Sequence, residues 1–451
     1  MDNSPTTALN SELQTDAFTP RRKIHWPSII QFGLSILAIA FLWSGSAIFA
    51  MMGLVGLVAR DPSIAQPAPG FMLATGMALI GFLAAPSAFY ALWRALDKPL
   101  EQLPRRLRHF GFSSWPLLAA LVTPLVIVAG YAAIRFTRLD WVFVPPLHIL
   151  AIGLPIAVLL YFTVRNLPLG SLQRMWGVFG SGLILAPVLI LGLEALALIA
   201  FVLLVIISIT SQPQLVEQLS SLSQWLMTNE PSQEATLQAL APYLFRPSVI
   251  LSVLTFGAIL VPLIEELIKP IGVWLLVGRN LYPSAGFAAG AISGAGYALF
   301  ESLVLTSGTQ EWASLVVARI GTSVIHIVTA AMTGWALVLA WQRRRYLILA
   351  GTYLLAVTMH GLWNAITLFF SFASLGELQG VVVKLPPVFK LADAAPYALL
   401  ALAILGLLIM FVGNRRFTQT YRTIRAEKAG RSQDSPPDDV PPDRVAGESM
   451  L

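Results

Sequence analysis

The stretch VILSVLTFGAILVPLIEELIKPIGVWLLVG, residues 249–278, is apolar almost throughout, yet it has two adjacent glutamates, Glu265 and Glu266, near its middle. It is long enough to cross a hydrocarbon core of about 30 Å as a helix. A charged side chain at the bilayer centre costs about 2.5–3.5 kcal/mol on insertion scales, and adjacent carboxylates also repel each other. Lys269 follows Glu265 by one helical turn, where an ion pair can form. We therefore interpret this stretch as a transmembrane helix with a functional site.

The rest of the chain has the composition of a membrane protein. Of its 451 residues, 56% are hydrophobic and only 12% are charged. The apolar runs lack the polar–apolar alternation of a membrane β-barrel, so the sequence predicts an all-α, polytopic transmembrane helical bundle of about ten spans. The fifth span is the longest and is expected to be tilted, kinked or split. The predicted spans are 29–59, 70–96, 115–134, 141–164, 176–209, 248–277, 284–306, 314–341, 346–373 and 396–413.

Basic residues are distributed unequally between the two sides of these spans. Arginine and lysine cluster before the first span, after the second, after the eighth and after the last, and all these positions share one side if the number of spans is even. Because cytoplasmic loops are enriched in these residues, we predict that both termini are cytoplasmic. The net charge of +6 then reflects topology, and we expect no nucleic-acid partner. The absence of cysteine excludes disulfides and thiolate chemistry.

The chain divides into membrane and non-membrane segments. The segment between spans five and six includes LVEQLSSLSQWLM, whose apolar spacing predicts an amphipathic helix on the outer surface. A connecting helix at the interface is the simpler interpretation, and a lid over a substrate site is the alternative. The proline-rich tail favours disorder. The predicted segments are 1–27 (disordered cytoplasmic N-terminus), 28–209 (N-terminal transmembrane helices), 210–247 (extracytoplasmic insert), 248–373 (polar helical core), 374–417 (final loop and span) and 418–451 (disordered cytoplasmic tail).

Spans six to nine have charged or strongly polar residues at similar depths. A rise of about 1.5 Å per residue places Glu265, Glu301, His326 and His360 roughly 18–25 Å from the cytoplasmic ends of their helices. Polar side chains that share a layer usually face one another inside the bundle. The chain has five histidines and two of them lie in this layer, so independent structural roles are a poor explanation for the common depth of these residues. We predict one shared polar site. For Glu194 in span five a structural hydrogen-bonding role is the favoured interpretation, and a role in the site is the alternative.

The helix of Glu301 is rich in small residues. Gly286, Gly290 and Gly294 recur at four-residue spacing, a pattern typical of helices that pack backbone to backbone. We assign these glycines no chemistry. Ser293 belongs to the same small-residue surface, and we interpret it as a packing residue rather than a nucleophile.

Two polar residues lie one helical turn from the site candidates. Tyr297 precedes the glutamate of span seven by one turn, and Asn364 follows His360 by one turn. Pro270, directly after Lys269, is expected to kink span six and to open room for water.

These residue types suit hydrolysis of an amide or ester inside the membrane. A glutamate can act as general base towards water, histidines can polarise a carbonyl or bind a divalent metal together with a carboxylate, and asparagine can donate to an oxyanion. The HExxH signature of soluble metalloproteases is absent, and no predicted span contains an aspartate. A proton-coupled transporter would also use buried acids, lysine and histidine, and a non-catalytic membrane scaffold is a third alternative.

Four short motifs, in order along the chain, resemble those of the PrsW-type intramembrane proteases. That family is similar to the CAAX prenyl endopeptidases and abortive-infection membrane proteins. The resemblance covers about residues 248–373, and two positions depart from it: Tyr297 stands where phenylalanine is usual, and Ser302 where asparagine is usual. The motifs are Glu265-Glu266-Leu-Ile-Lys269, Gly296-Tyr297-Ala-Leu-Phe-Glu301, His326 and His360-Gly-Leu-Trp363-Asn364.

The resemblance implies an intramembrane endopeptidase that cleaves membrane-embedded or membrane-anchored proteins by glutamate-activated water. Its kinship with the prenyl endopeptidases favours a mechanism without an obligatory metal, but a divalent metal such as zinc stays open. The implied partners are the bilayer of a prokaryotic cell and a membrane-protein substrate, such as an anti-sigma-factor-like regulator. The implied catalytic residues are Glu265, Glu266, Glu301, His326, His360 and Asn364, supported by Lys269 and Tyr297, and the candidate metal ligands are His326, His360 and Glu301.

Overall fold

The computed structural model of the protein describes residues 25–59, 67–98, 115–229, 231–308, 311–378 and 387–433. Within these ranges the regular structure is helical without strands, and ten helices are long and apolar enough to cross a membrane. This confirms the prediction of an all-α polytopic bundle of about ten spans. The disorder predicted for the N-terminus falls almost entirely on residues outside the described ranges.

We number the helices in chain order and count short irregular turns as part of the helix that contains them. All of them except α6 and α7 are candidate membrane spans. The helices are α1 (Trp26–Ala59), α2 (Pro67–Ala95), α3 (Trp115–Phe136), α4 (Asp140–Val164), α5 (Leu172–Thr210), α6 (Pro213–Asn229), α7 (Gln233–Leu244), α8 (Pro247–Trp274), α9 (Pro283–Val304), α10 (Trp312–Arg343), α11 (Tyr346–Leu378) and α12 (Ala395–Gln433), the last preceded by a 3₁₀ segment, Pro387–Ala394.

Helices α9 and α10 form the centre of the bundle. Both are buried along most of their length, whereas only 6–11% of the most apolar stretch of α1, α5 and α8 is buried, as in helices that face lipid. Glycines explain the close contact of the two central helices. A Cβ atom at Gly286 would lie 2.6 Å from the Gly334 carbonyl oxygen, and one at Gly294 would lie 2.6 Å from the His326 carbonyl oxygen. The predicted backbone-to-backbone packing is confirmed.

Two of the spans contain a π-helical turn, Ser181–Leu185 in α5 and Phe256–Leu260 in α8. The turn in α5 is the irregularity expected for the long fifth span. Helix α8 is also interrupted at Lys269 and Pro270, before a final short turn, Ile271–Trp274. Because proline has no backbone N–H, it interrupts the helical hydrogen bonds at this point, in agreement with the predicted kink.

The predicted insert between spans five and six consists of the two helices α6 and α7. Helix α6 is amphipathic and has no buried residue, so it lies on the surface of the bundle, as an interfacial helix would. The side of the membrane on which it lies stays a prediction.

The last helix continues farther than the sequence predicts. We predicted disorder from residue 418, whereas α12 extends to Gln433. Residues 418–433 contain no proline and a single glycine, and the first prolines of the tail stand at 436 and 437, so nothing in this segment stops the helix. The boundary of the predicted tail is therefore corrected to lie beyond 433, outside the described residues.

Candidate active site

Lys269 lies at the break in α8 and is fully buried. Its Nζ atom is 2.9 Å from Glu265 Oε2 and 2.7 Å from Glu266 Oε1. Removing one partner of a buried charge pair is strongly destabilising, and here one ammonium group is shared by two adjacent carboxylates. The ion pair predicted between Lys269 and Glu265 is present, and it includes the second glutamate.

The two histidines of the predicted layer approach the same ammonium group. His326 Nδ1, on α10, lies 2.6 Å from Lys269 Nζ, and His360 Nδ1, on α11, lies 3.2 Å from it. The imidazole rings are nearly perpendicular, with centroids 5.1 Å apart. His360 Nδ1 also lies 2.9 Å from Glu266 Oε1, while its Nε2 faces Glu265 Oε2 at 4.0 Å. Side chains of α8, α10 and α11 therefore meet at one point in the bundle.

Helix α9 contributes Glu301 on the far side of His326. Its Oε2 atom is 2.6 Å from His326 Nε2 and 2.7 Å from Arg319 Nη2. The Glu301 side chain is 27% exposed, whereas its ionisable neighbours in the cluster are at most 10% exposed. The cluster is therefore most accessible from the side of Glu301.

Arg319 is a residue of the site that the sequence analysis did not assign. It lies on α10 seven residues before His326, which is two helical turns and hence the same face. Its Nε donates a hydrogen bond to Ser302 Oγ at 3.2 Å, while its Nη2 pairs with Glu301. The serine that departs from the family pattern thus provides a polar partner for the arginine. The seven-residue spacing from His326 was the signal in the sequence.

Tyr297 packs beside the cluster from α9. Its ring meets the His326 ring edge-on, with centroids 5.2 Å apart, and Lys269 Nζ lies 5.0 Å from the centre of the tyrosine ring. A cation over the face of an aromatic ring is stabilised by the quadrupole of the ring, more so when water is excluded. Tyr297 therefore contributes to holding the buried ammonium group.

Ser293, which the sequence favoured as a packing residue, makes a specific contact with the break in α8. Its Oγ donates to the Lys269 carbonyl oxygen at 2.6 Å and accepts from Gly272 N at 3.4 Å. In a continuous helix the Val273 amide would reach this carbonyl, but it bonds to the Pro270 carbonyl at 2.7 Å instead. The serine therefore satisfies a carbonyl that the break leaves free, and it stabilises the backbone that presents Lys269.

Asn364 lies on the same helix as His360 but makes a different contact. Its Nδ2 donates to the Gly257 carbonyl oxygen at 2.9 Å, within the π turn of α8. Five of the six catalytic candidates form one connected network of contacts, and Asn364 instead fastens α11 to the π turn.

The cluster contains a donor set that fits a divalent cation. Glu265, His326 and His360 each offer one ligand atom, and these atoms lie within 4.8 Å of one another. Two imidazoles and a carboxylate are a ligand set that zinc accepts, and Glu301 holds the other ring nitrogen of His326, as outer carboxylates of zinc sites do. The Lys269 ammonium lies 2.6–3.2 Å from an atom of each of these three residues, so a cation bound between them would have to displace it. The carboxylate of the set is Glu265, whereas the sequence favoured Glu301.

The fold and the cluster together define a polytopic membrane protein with a buried cluster of ionisable side chains. Residues 170–391 match the model of a family described as PrsW family intramembrane metalloprotease. Over these residues the chain is similar to this family, and it is an intramembrane protease. Comparison with curated proteins gave no match, and comparison with solved structures gave none.

The family match is wider than the resemblance recognised from the four motifs. It begins at residue 170 rather than near 248, and so it includes α5 and the insert. Helix α5 packs against α8 and α9, which present most of the acids of the cluster. The family region therefore comprises every helix that presents a side chain to the cluster.

Proposed function

We propose that the cluster hydrolyses peptide bonds of membrane-embedded or membrane-anchored proteins. The observation that supports this most directly is the position of Lys269 Nζ, within 3.2 Å of both glutamates of α8 and both histidines. Four helices thereby deliver acids, imidazoles and an ammonium group to a space with little access to water. In such a space general-base catalysis and fixed electrostatic partners are most effective.

Glu265 is the general base in this proposal. Glu266 is fully buried, and its Oε1 atom is engaged by Lys269 and by His360. Glu265 Oε2 faces His360 Nε2 across 4.0 Å, a gap at which one water molecule can hydrogen-bond to both atoms. The water oxygen bonds to the scissile carbonyl carbon while its proton moves to Glu265. The C–N bond then breaks as that proton passes to the leaving amine nitrogen.

The other residues stabilise the charge that develops on the carbonyl oxygen. His360 and Lys269 can donate to this oxygen, and Glu301 fixes the orientation and tautomer of His326. Where a divalent metal is bound, Glu265, His326 and His360 would hold it, and it would supply Lewis acidity towards the carbonyl. A carboxylate has two oxygens, so Glu265 can bind a cation through one and accept a proton through the other.

The proposal is tested by removing the base without disturbing the fold. Glu265→Gln keeps size and hydrogen bonding but removes the basic carboxylate, so cleavage should fall about 10²–10⁴-fold with little loss of folded protein. His360→Ala should also stop cleavage. Turnover of a reconstituted membrane substrate is measured beside the yield of folded protein in detergent. Glu217→Gln, on the exposed surface of α6, is the matched control.

Ser293→Ala separates support from catalysis in the same assay. It should lower stability by about 1–3 kcal/mol, because the Lys269 carbonyl loses its donor, while folded protein keeps nearly its full turnover. An inactive Ser293→Ala protein together with an active Glu265→Gln protein would overturn the glutamate mechanism in favour of a serine nucleophile.

The substrate class follows from the membrane location of the site. We keep the hypothesis, implied by the resemblance, that the substrates include regulators of the anti-sigma-factor type in a prokaryotic cytoplasmic membrane. Membrane fragments are compared by proteomics between cells with the wild-type chain and cells with Glu265→Gln. Fragments that arise only with the wild type identify substrates, and wild-type-specific fragments drawn solely from soluble proteins would contradict the hypothesis.

A further inference from the structure

One acidic residue near the cluster has no role in the mechanism above. Glu194 lies on α5, and its Oε1 atom is buried without a hydrogen-bond partner among the described residues. The sequence suggested a structural hydrogen-bonding role, for which this oxygen has no partner. A buried polar atom without a partner is costly, above all in a membrane, so another explanation is required.

Helix α5 directs Glu194 towards the base. Ile190, one turn before Glu194, belongs to a small buried cluster with Tyr297, and Ile268 of α8 packs against this cluster. Residues four apart lie on one face of a helix, so Glu194 continues this face by one turn. Helices α5 and α8 are consecutive spans and run antiparallel. One turn forward along α5, from Ile190 to Glu194, therefore corresponds to about one turn back along α8 from Ile268, and that turn presents Glu265.

The charges of the cluster agree with this position. Glu194 is close enough to Glu265, Glu301 and Lys269 for their charges to act on its carboxyl group. Together with Glu194 the cluster comprises four carboxyl groups and two permanent cations, Lys269 and Arg319. Both cations are already engaged by the other three acids, at 2.7–2.9 Å. An oxygen of Glu194 is therefore available to a donor that a ligand brings.

Glu194 also stands where the packed part of α5 ends. The last buried residues along α5 are Ala186, Pro187 and Ile190, whereas farther along it Leu196 is 66% and Leu204 67% exposed. The open part is apolar and faces lipid. A membrane-embedded segment can therefore approach along α5 and reach Glu194 beside the cluster.

We propose that Glu194 binds the substrate by accepting a backbone N–H of the segment that is cleaved. The inference rests on the proposed peptidase function. A peptide bond becomes accessible to water only where the segment leaves its helix, and there its amide N–H groups lose their acceptors in a medium without water. A buried carboxylate oxygen beside Glu265 replaces one of these acceptors next to the scissile bond.

Binding is measured in the Glu265→Gln background, where the probe is not turned over. The probe is a fluorescent Leu/Ala transmembrane peptide of about 20 residues with two central glycines, added to the full chain in lipid vesicles. Adding Glu194→Leu should weaken binding about tenfold, the effect of losing one hydrogen bond to a charged group. Glu194→Gln keeps a carbonyl acceptor and should restore most of the affinity. Glu217→Leu, on the exposed surface of α6, should leave binding unchanged.

A second peptide, with both glycines N-methylated, identifies the donor. It has no N–H at these positions, so it should bind weakly, and Glu194→Leu should weaken its binding little further. The loss of affinity from N-methylation and the loss of affinity from Glu194→Leu are then non-additive. The proposal is overturned if Glu194→Leu binds the first peptide normally, if the losses add, or if Glu194→Gln is as weak as Glu194→Leu. Loss of a bound metal from the Glu194→Leu variant with an intact Glu265 would also overturn it, since Glu194 would then be a metal ligand. Cleavage of the first peptide by the chain with an intact Glu265 tests the proposed function separately.

Discussion

A single ammonium group explains how three helices bring four ionisable side chains into a space with little access to water. Lys269 is the common neighbour of two carboxylates and two imidazoles. Removing one partner of such a buried pair typically costs about 3–5 kcal/mol, because the remaining charge is left uncompensated. The lysine therefore couples the stability of the bundle to the geometry of the site.

The same cluster gives a prediction about metal binding. We expect the purified protein to bind a divalent metal, and a chelator to stop cleavage, because Glu265, His326 and His360 form a compact donor set. Elemental analysis should show less metal in His326→Ala and in His360→Ala. His25→Ala, at the start of α1, is the control and should keep the wild-type content. Full activity of a metal-free protein would contradict the prediction and favour the metal-independent alternative.

Part of this site could be predicted from single residues, and part could not. Equal depth along four spans was sufficient to group Glu265, Glu301, His326 and His360, because depth follows from residue count and helical rise. The pairing of Arg319 with Glu301 depends on how α10 is rotated against α9, which residue count and helical rise do not fix. The contact of Asn364 with the π turn likewise depends on how α11 packs against α8.

At the scale of helices, irregular turns position the side chains of the cluster. Helix α8 contains a π turn before its glutamates and a break directly after them. The break has a sequence signal, since Pro270 lacks a donor, and it was predicted. The π turn FGAIL, residues 256–260, reads as an ordinary apolar helix, so periodicity gave no indication of it.

The contact between α9 and α10 gives a prediction at this scale. Gly290→Ala should force the two helices apart, because the added Cβ atom would collide with the Ala330 carbonyl oxygen. We expect a loss of about 1–3 kcal/mol and reduced cleavage, since Glu301 and His326 meet across the same interface. Gly153→Ala on α4, where the added atom meets nothing within 4 Å, is the control. Equal thermal unfolding midpoints for the two variants in detergent would show that the interface tolerates the extra atom.

At the scale of the whole molecule, the number of spans was predictable because the bilayer sets it. Hydrocarbon thickness imposes runs of about 20 apolar residues, and the described part of the chain has ten helices that satisfy this requirement. Which helices lie at the centre was harder to predict, since small residues on α9 indicate close packing but do not identify the helix that packs against it. The helical extension of α12 was missed because polar composition alone does not distinguish a solvated helix from disorder.

Orientation is the whole-molecule property that a direct measurement must establish. The distribution of arginine and lysine predicts that reporters fused after residue 345 and after residue 451 are cytoplasmic, and that one inserted near residue 230 lies on the outer side. The physical reason is that α8, α9 and α10 cross the membrane three times between 230 and 345. Reporter activity in intact cells, with accessibility to an impermeant label, decides each position. If 230 and 345 scored on the same side, α8, α9 and α10 would not all cross, and the equal depth of Glu265, Glu301 and His326 in the bilayer would lose its basis.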